Sequence, residues 1–356
     1  MLDLAEQLQP WFTQKREFAV ATVASVTGSA PRTPGAALAV DRHGTVIGSV
    51  SGGCVESTLF ELCQQALSDG AYRIESFGYS DDDAFAVGLT CGGELTAVIQ
   101  PYQPQSHPHD YHTAAQAATD AAAGDPVELL HAIAPAWTTR IVRLTTAAPH
   151  RFGLPSLDQL AAEAAVGGPH QVGLHHSSDV TALLDVRHEA PQMLIFGATD
   201  FAAALAHAGA FIGYRVTVCD ARPVFTTTER FPHAHEVVVD WPDRLLARTH
   251  IRPDTVICVL THDARFDVTL LKAALASPAR YVGAIGSRRT HSQRVMQLSD
   301  AGVTAEQLRR LRSPIGLDIG AATPQQTAIS IVAEIMSSIA NRPPAALSMT
   351  SGPIHR

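Results

Sequence analysis

Two cysteines lie in glycine-rich turns of the first hundred residues, and their side chains are the best suited to chemistry. Cys54 follows Gly52 and Gly53, and an apolar pattern of helical period begins at Val55. At a helix N-terminus, the helix dipole and free backbone N–H groups lower the pKa of a thiol and favour the thiolate. Cys91 lies in a second glycine-rich turn, before a predicted strand. The residues alone leave open whether these two thiols converge on a soft ligand or are structural.

The other three cysteines have a structural interpretation. Cys63 lies on the apolar face of a predicted helix, while Cys219 and Cys258 lie in β-rich runs, so we expect small buried hydrophobic side chains. The five cysteines are widely spread and none share the C-x-x-C spacing. This pattern argues against a disulfide framework and against a local zinc site.

A glycine turn and an acidic residue mark the C-terminal half as a nucleotide-binding type of fold. Gly197 follows a predicted strand, and Asp220 ends the next predicted strand 23 residues later. This spacing is typical of the carboxylate that binds the ribose of a dinucleotide. However, Thr199 stands where a second glycine is usual, and Asp200 adds a negative charge at the helix start. The turn therefore predicts the fold and leaves nucleotide binding open.

Later strands of the same half also end in polar residues. His262 and Asp263 follow one predicted strand, and Ser287, Arg288 and Arg289 follow another. Open parallel sheets bind ligands at the carboxyl ends of their strands, and arginines at a helix start suit a phosphate. The alternatives are a histidine–aspartate pair at the first position and a solvated surface at the second.

Length and periodicity define the elements that must position these residues. A chain of 356 residues predicts two or three domains, at about 100–200 residues each. We expect an α/β protein in which a small N-terminal α+β domain precedes a doubly wound parallel sheet of the Rossmann-like type. The expected boundaries are 1–100 for the first domain, 101–190 for a linker or extension of uncertain structure, 191–342 for the Rossmann-like domain, and 343–356 for a tail.

Charge and composition exclude several classes of function. The formal net charge is -8, so the chain lacks the basic surface that nucleic acids or anionic membranes require. No signal peptide and no stretch of about twenty apolar residues is visible, which predicts a cytoplasmic protein.

Ordered motifs give the sequence a specific resemblance. It resembles the XdhC/CoxI family, the accessory factors of xanthine dehydrogenase and carbon monoxide dehydrogenase. The motifs are GSAPR at 28–32 with Gly35, GSVSGGCVE at 48–56, GLTCGG at 88–93, FGA at 196–198, VTVCDAR at 216–222, THD at 261–263, YVGAIGSRR at 281–289 and PIGLDIG at 314–320. They occur within residues 18–100 and 192–336.

The resemblance implies a molybdenum-cofactor chaperone rather than a catalyst. Such a protein binds the cofactor (molybdopterin) and delivers it to an apo-molybdoenzyme of the xanthine dehydrogenase or carbon monoxide dehydrogenase type. It also implies that Cys54 contacts the metal, with a homodimer and a sulfurtransferase as further expected partners. The chain departs from the family at Thr199 and Asp200, where glycine and histidine are usual. The expected cofactor-binding residues are Cys54, Cys91, Gly52, Gly53, Gly197, Asp220, His262, Asp263, Ser287, Arg288 and Arg289.

Two other functions are compatible with the same fold. An NAD(P)-dependent oxidoreductase would use the turn at Gly197 with Asp220, but it gives the two cysteine turns no role. A sulfur-relay protein would carry a persulfide on Cys54. A shared fold does not separate these functions.

Overall fold

Two compact units make up the chain. The computed structural model describes residues 1–28, 32–53, 55–78, 93–133, 141–144, 158–159, 162, 171–176, 181–261 and 264–351. The first unit comprises Met1–Glu189 together with Ser351, and the second comprises Ala190–Thr350.

The first unit is built on a five-stranded antiparallel sheet. Its strands are β1 (Phe18–Thr27), β2 (Ala37–Asp41), β3 (Val46–Gly48), β4 (Arg73–Phe77) and β5 (Glu94–Tyr102), in the spatial order β3-β2-β1-β5-β4. The first seven residues of β1 are buried without alternation, because helices cover both faces of the sheet there.

Among the described residues of the first unit, three helices cover this sheet. On one face lies α2 (Glu56–Asp69), which directs Leu59 and Cys63 into the core. On the other face lie α1 (Ala5–Thr13) and α3 (Pro108–Ala122). Aromatic rings in edge and stacked contacts fill the core between these two helices and the sheet, and they belong to Trp11, Phe12, Phe18, Tyr102 and Tyr111.

Residues 101–190, expected to be a linker or an extension, contribute ordered elements to the first unit. Tyr102 is the last residue of β5 and pairs with Phe18 of β1, so the sheet continues into this segment. The described part of the segment then forms α3 and a second antiparallel sheet. That sheet has the order β7-β6-β9-β8 and comprises β6 (Val127–Ile133), β7 (Ile141–Arg143), β8 (Gly173–His176) and β9 (Thr181–Arg187).

The second unit is a six-stranded, entirely parallel sheet. Its strands are β10 (Gln192–Phe196), β11 (Arg215–Asp220), β12 (Glu236–Val239), β13 (Val256–Val259), β14 (Tyr281–Ala284) and β15 (Leu311–Arg312). Their spatial order is β12-β11-β10-β13-β14-β15, so the direction of winding reverses between β10 and β13. This order is that of dinucleotide-binding sheets, and ligands of such sheets bind where the winding reverses.

Helices cover both faces of the parallel sheet. Met193 and Ile195 of β10 face the layer that contains two long helices, whereas Leu194 and Phe196 face the other layer. The first layer holds α4 (Asp200–Phe211) and α9 (Pro324–Ile339), and the second holds α5 (Pro242–Arg248), α6 (Ala264–Ala276), α7 (Arg288–Asp300) and α8 (Ala305–Arg309). The predicted α/β fold class is confirmed. Within the described ranges, no helix has the length and apolarity needed to cross a membrane.

Candidate functional site

The loop between β3 and α2 folds around one carboxylate. Glu56 is the first residue of α2, and its side chain turns back over the loop that precedes the helix. The backbone N–H groups of Ser51 and Gly52 donate to Glu56 Oε1 over 2.9 Å, and the N–H of Gly53 donates to Oε2 over 2.8 Å. The loop therefore forms a nest of donors, and the chain itself supplies the anion that fills it.

Side chains and further amides complete this nest. The hydroxyl of Ser49 donates to Glu56 Oε1 over 2.8 Å, and that of Ser51 donates to Oε2 over 2.5 Å. The N–H of Val55 adds a contact of 3.2 Å to Oε2. Burial raises the pKa of Glu56, but the hydrogen bonds from Ser51 and Ser49 outweigh it and lower the pKa to about 2. Glu56 is therefore ionised at neutral pH, and it holds the described loop residues 49–53 and Val55 by hydrogen bonds.

Gly52 and Gly53, both predicted to belong to the site, are required by their backbone angles, and there is space for a side chain at both positions. Gly52 has a φ angle of +79° and Gly53 one of +129°, and residues other than glycine rarely adopt such angles. Both residues are exposed, and a Cβ added to either would meet no described atom within 4 Å. The loop consequently presents bare, open backbone on both residues that precede Cys54.

Cys54 and Cys91 themselves lie outside the described residues. In the sequence, Cys54 is flanked by Gly53 and Val55, and the N–H groups of both donate to Glu56. The backbone N–H groups of Ser51, Gly52 and Gly53 all donate to Glu56. The stabilisation of a Cys54 thiolate by the helix N-terminus stays a prediction. The remaining cysteines are free and buried, as predicted for Cys63, Cys219 and Cys258.

A second signature segment lines a cavity of the first unit. The described part of the GSAPR-type loop, Arg32–Ala36, borders a cavity of about 360 Å³. Arg187 and His188 border the same cavity, and Arg32 pairs with Asp3 over 2.9 Å. The cavity is thus lined by both cationic and anionic side chains. Its volume lies near the lower end of the range for small-molecule binding sites.

The glycine turn of the second unit is tightly packed. Gly197 has φ +118° and donates its N–H to Cys219 O over 2.8 Å. A Cβ at Gly197 would lie 2.9 Å from the carbonyl carbon and oxygen of Leu260. Thr199 is the N-cap of α4 and accepts from the N–H of Ala202 over 3.2 Å. Close packing against the end of β13 therefore requires glycine at position 197.

The structure brings Asp220 to this turn, as the spacing predicts. One carboxylate oxygen accepts from the N–H of Ala198 over 2.8 Å. The guanidinium of Arg222 donates to both oxygens, from Nε to Oδ1 over 2.9 Å and from Nη2 to Oδ2 over 2.8 Å. The backbone N–H of Arg222 also donates to Oδ1 over 2.9 Å. Burial raises the pKa of Asp220, but the bonds from Arg222 and Ala198 outweigh it and lower the pKa.

The other strand-end residues are only partly described. Ser287 is the N-cap of α7 and accepts from the N–H of Thr290 over 3.1 Å. Arg288 and Arg289 follow it on the exposed surface, and Arg288 lies 3.9 Å from Asp318 in a pair that is more than nine-tenths exposed. His262 and Asp263 lie outside the described residues. Metal-binding clusters of three or more His, Cys, Asp or Glu do not occur in the part of the chain that the structure describes.

Sequence reasoning missed two anchoring groups. Glu56 could have been found, because an acidic residue in the first turn of a helix faces the unpaired amides there. Arg294 could not, because nothing in the sequence marks it. Its guanidinium is buried, pairs with Asp267 over 3.4 Å and donates to Ile285 O over 3.0 Å. Asp267 also accepts from the hydroxyl of Thr261. This ion pair joins the ends of β13 and β14.

The fold and its two turns define a two-unit protein with a Rossmann-like C-terminal unit. The family model for the XdhC Rossmann domain matches residues 193–335, and the model for the XdhC and CoxI family matches residues 11–78. Together these matches cover more than half of the chain. The chain belongs to the XdhC and CoxI family, as its motifs predict.

Known relatives match the chain over most of its length. A Bacillus subtilis protein described as a probable xanthine dehydrogenase subunit is 27% identical over 336 residues, which are 91% of this chain and 94% of that protein. "Molybdenum cofactor insertion chaperone PaoD" of Escherichia coli is 24% identical over 332 residues, which are 89% of this chain and 81% of that protein. A crystal structure described as a xanthine dehydrogenase from Bacillus halodurans has a TM-score of 0.71 at 24% identity, covering 98% of this chain and 97% of that one, and it supports the fold.

Proposed function

We propose that this protein binds molybdenum cofactor as cargo and delivers it to an apo-molybdoenzyme of the xanthine dehydrogenase or carbon monoxide dehydrogenase type. Membership of the XdhC and CoxI family and the distant chaperone relative support this function. The observation that carries it is the loop of residues 49–53, in which Glu56 fixes the backbone and the backbone of Gly52 and Gly53 is open. Cys54 follows these residues in the sequence.

The chemistry of the loop suits this cargo. The molybdenum of the cofactor is bound by sulfur, and thiolates are suitable partners for such a soft centre. We assign the metal contact to Cys54 and a supporting contact to Cys91. A loop that is already fixed loses little conformational entropy when a ligand binds, and absent side chains at Gly52 and Gly53 let a bulky ligand approach closely.

The second unit has its own groups that suit an anion, and anion binding there is a separate prediction. Ser287, Arg288 and Arg289 lie at the N-terminus of α7, a helix of 13 residues, where backbone amides and guanidinium groups favour a phosphate. His262 and Asp263 follow β13 in the sequence and are proposed as further contacts. The simple pterin and the dinucleotide form of the cofactor both carry phosphate.

Cofactor content tests this proposal directly. The protein is produced in a molybdenum-replete host and purified without oxygen, and its molybdenum and oxidised pterin fluorescence are measured. The Cys54→Ala variant is compared with Cys63→Ala, which removes a thiol that is buried nine residues further along the same segment. We expect near-stoichiometric cofactor in the parent and in Cys63→Ala, and its loss in Cys54→Ala.

Two results would contradict the proposal. Absence of pterin from the parent protein would exclude cofactor storage. Equal cofactor in both variants would exclude Cys54 as the metal contact. Transfer is then tested by adding the loaded protein to an apo-enzyme of the xanthine dehydrogenase type and following the recovery of its activity. A homodimer, a sulfurtransferase partner and a cytoplasmic location remain predictions.

An NAD(P)-dependent oxidoreductase is the second candidate function. The strand order of the parallel sheet and the approach of Asp220 to the Gly197 turn favour it. This function predicts that the protein oxidises or reduces a nicotinamide nucleotide when a substrate is present. Cofactor loss in Cys54→Ala, without any nicotinamide turnover in the parent, would exclude it. Sulfur relay would instead show as a persulfide on Cys54 by mass spectrometry.

A further inference from the structure

Two arginines flank a half-exposed aromatic ring just beyond the end of β11. The guanidinium carbon of Arg222 lies 4.9 Å from the ring centroid of Phe225, and that of Arg230 lies 5.7 Å from it. The ring of Phe225 is 45% exposed, and the side chain of Arg222 is 57% exposed. In sheets of this order, the end of the second strand is where the ribose of a bound nucleotide is recognised.

The acidic residue at this position, Asp220, already uses its hydrogen-bond acceptor sites for donors of the chain itself. An ionised carboxylate has about four acceptor sites. Asp220 uses them for the N–H of Ala198 and for three N–H groups of Arg222. A ribose with free hydroxyl groups would have to displace one of these donors. The usual recognition of an unphosphorylated ribose by this carboxylate is therefore unfavourable here.

Arg230 is held in place by several contacts. It donates to Phe225 O over 3.1 Å and to Ala198 O over 3.4 Å, and it packs at 5.8 Å from the ring centroid of Phe231. Its ion pair with Asp200 has a separation of 3.0 Å, but the side chain of Asp200 is 83% exposed. A solvated carboxylate can return to water at small cost, so a phosphate can replace it beside Arg230.

We propose that this surface binds a nucleotide whose ribose carries a 2′-phosphate. Arg222 and Arg230 contact the phosphate, and the base stacks against the arginine and aromatic planes of Arg222 and Phe225. This site uses no residue of the proposed cofactor-binding loop, and it goes beyond the proposed function. It requires no chemistry on the nucleotide.

Calorimetric titration of the full-length protein tests the proposal with two small probes. 2′,5′-ADP and 5′-AMP share the adenosine and differ in the 2′-phosphate. We expect 2′,5′-ADP to bind at least about tenfold more tightly, because it gains paired contacts with two guanidinium groups. Arg222→Ala and Arg230→Ala should each reduce this preference, and Asp200→Asn should strengthen 2′,5′-ADP binding by removing the competing carboxylate.

Arg215→Ala is the matched control. Arg215 is exposed and lies at the opposite end of β11, so its removal changes the net charge equally without touching the surface. Equal affinities for the two probes, no binding of either, or a preference that survives Arg222→Ala would overturn the proposal. Molybdenum content is measured separately on each variant, so failure of this site and failure of the chaperone function are distinguishable.

Discussion

Each unit of the molecule has a glycine turn that holds a carboxylate of the chain itself, but the two turns stabilise it differently. Glu56 is bound by neutral groups, namely the amides and hydroxyls of the loop before α2. Asp220 is bound by two N–H groups of the Arg222 guanidinium and by the backbone amides of Ala198 and Arg222. The first turn is therefore shaped by dipoles and the second by an ion pair, although both favour an anion.

The glycines of the two turns also differ in what they permit. A Cβ at Gly52 would meet no described atom within 4 Å, whereas a Cβ at Gly197 would lie 2.9 Å from backbone atoms of Leu260. The first turn is open to an approaching ligand, and the second is packed against a neighbouring strand. A glycine motif can thus indicate either ligand access or internal packing, and only the surroundings of the missing Cβ distinguish them.

The largest effect is expected for Gly197→Ala. The substitution combines an unfavourable φ of +118° with a backbone clash that no side chain can relieve. We expect a loss of about 3 kcal/mol or more in the free energy of unfolding of the second unit. Gly213→Ala is the control, because its φ is +90° but a Cβ there meets no described atom within 4 Å. Urea unfolding should give about 1–2 kcal/mol for the control, and equal losses would contradict the packing argument.

A smaller but substantial effect is expected for Glu56→Ala. The change leaves several amides and two serine hydroxyls without their acceptor, and water can reach only the exposed ones. We expect a loss of about 2–3 kcal/mol. Glu61→Ala on the exposed side of the same helix should change stability by less than about 0.5 kcal/mol. Comparable losses in the two variants, measured by urea unfolding, would show that the nest does not stabilise the loop.

The fold could be predicted from the sequence because its signals are local. Strands that alternate with helices after residue 191 predict a parallel sheet, and Thr323, Pro324 and Gln326 predict the start of α9, which the structure confirms with a capping box. The sheet formed by the described residues of 127–187 could not be predicted. Its strands pair across long sequence separations, as β6 does with β9, so the sequence of one strand carries no signal of the register with the other.

The candidate site was predictable only in part, for a related reason. The spacing placed Asp220 at the Gly197 turn, because a strand and a helix have fixed lengths. The pairing of Arg222 with Asp220 could not be predicted, because it depends on side-chain rotamers and these cannot be read from the spacing of residues. Glu56 carries an N-terminal helix signal, but its hydrogen bonds back to Gly53 and as far as Ser49 follow from the positive φ angles of Gly52 and Gly53.

Gly52→Ala should have a modest effect on stability and thereby sharpen the comparison of the glycines. Its φ of +79° costs a non-glycine residue energy, but there is space for the methyl group. We expect a loss of about 1 kcal/mol in the free energy of unfolding. If the cofactor binds against the open backbone, the molybdenum and pterin content of the purified variant should fall clearly although the protein stays folded. A loss as large as that of Gly197→Ala would remove the distinction between the open and the packed turn.

The smallest expected effect is a difference in salt dependence between the stability contributions of Asp220 and Glu56. Screening weakens an ion pair with an exposed partner, whereas hydrogen bonds from neutral dipoles are much less sensitive to ions. The side chain of Arg222 is 57% exposed, so the stability lost on Asp220→Asn should shrink as ionic strength rises. Between about 0.05 and 0.5 M salt we expect a change of a few tenths to about 1 kcal/mol in that loss. The loss on Glu56→Gln should stay constant over the same range, measured by urea unfolding at each salt concentration. An equal salt dependence for both variants would mean that charge–charge attraction stabilises the two turns alike, although among the described residues a guanidinium group donates to Asp220 and none donates to Glu56.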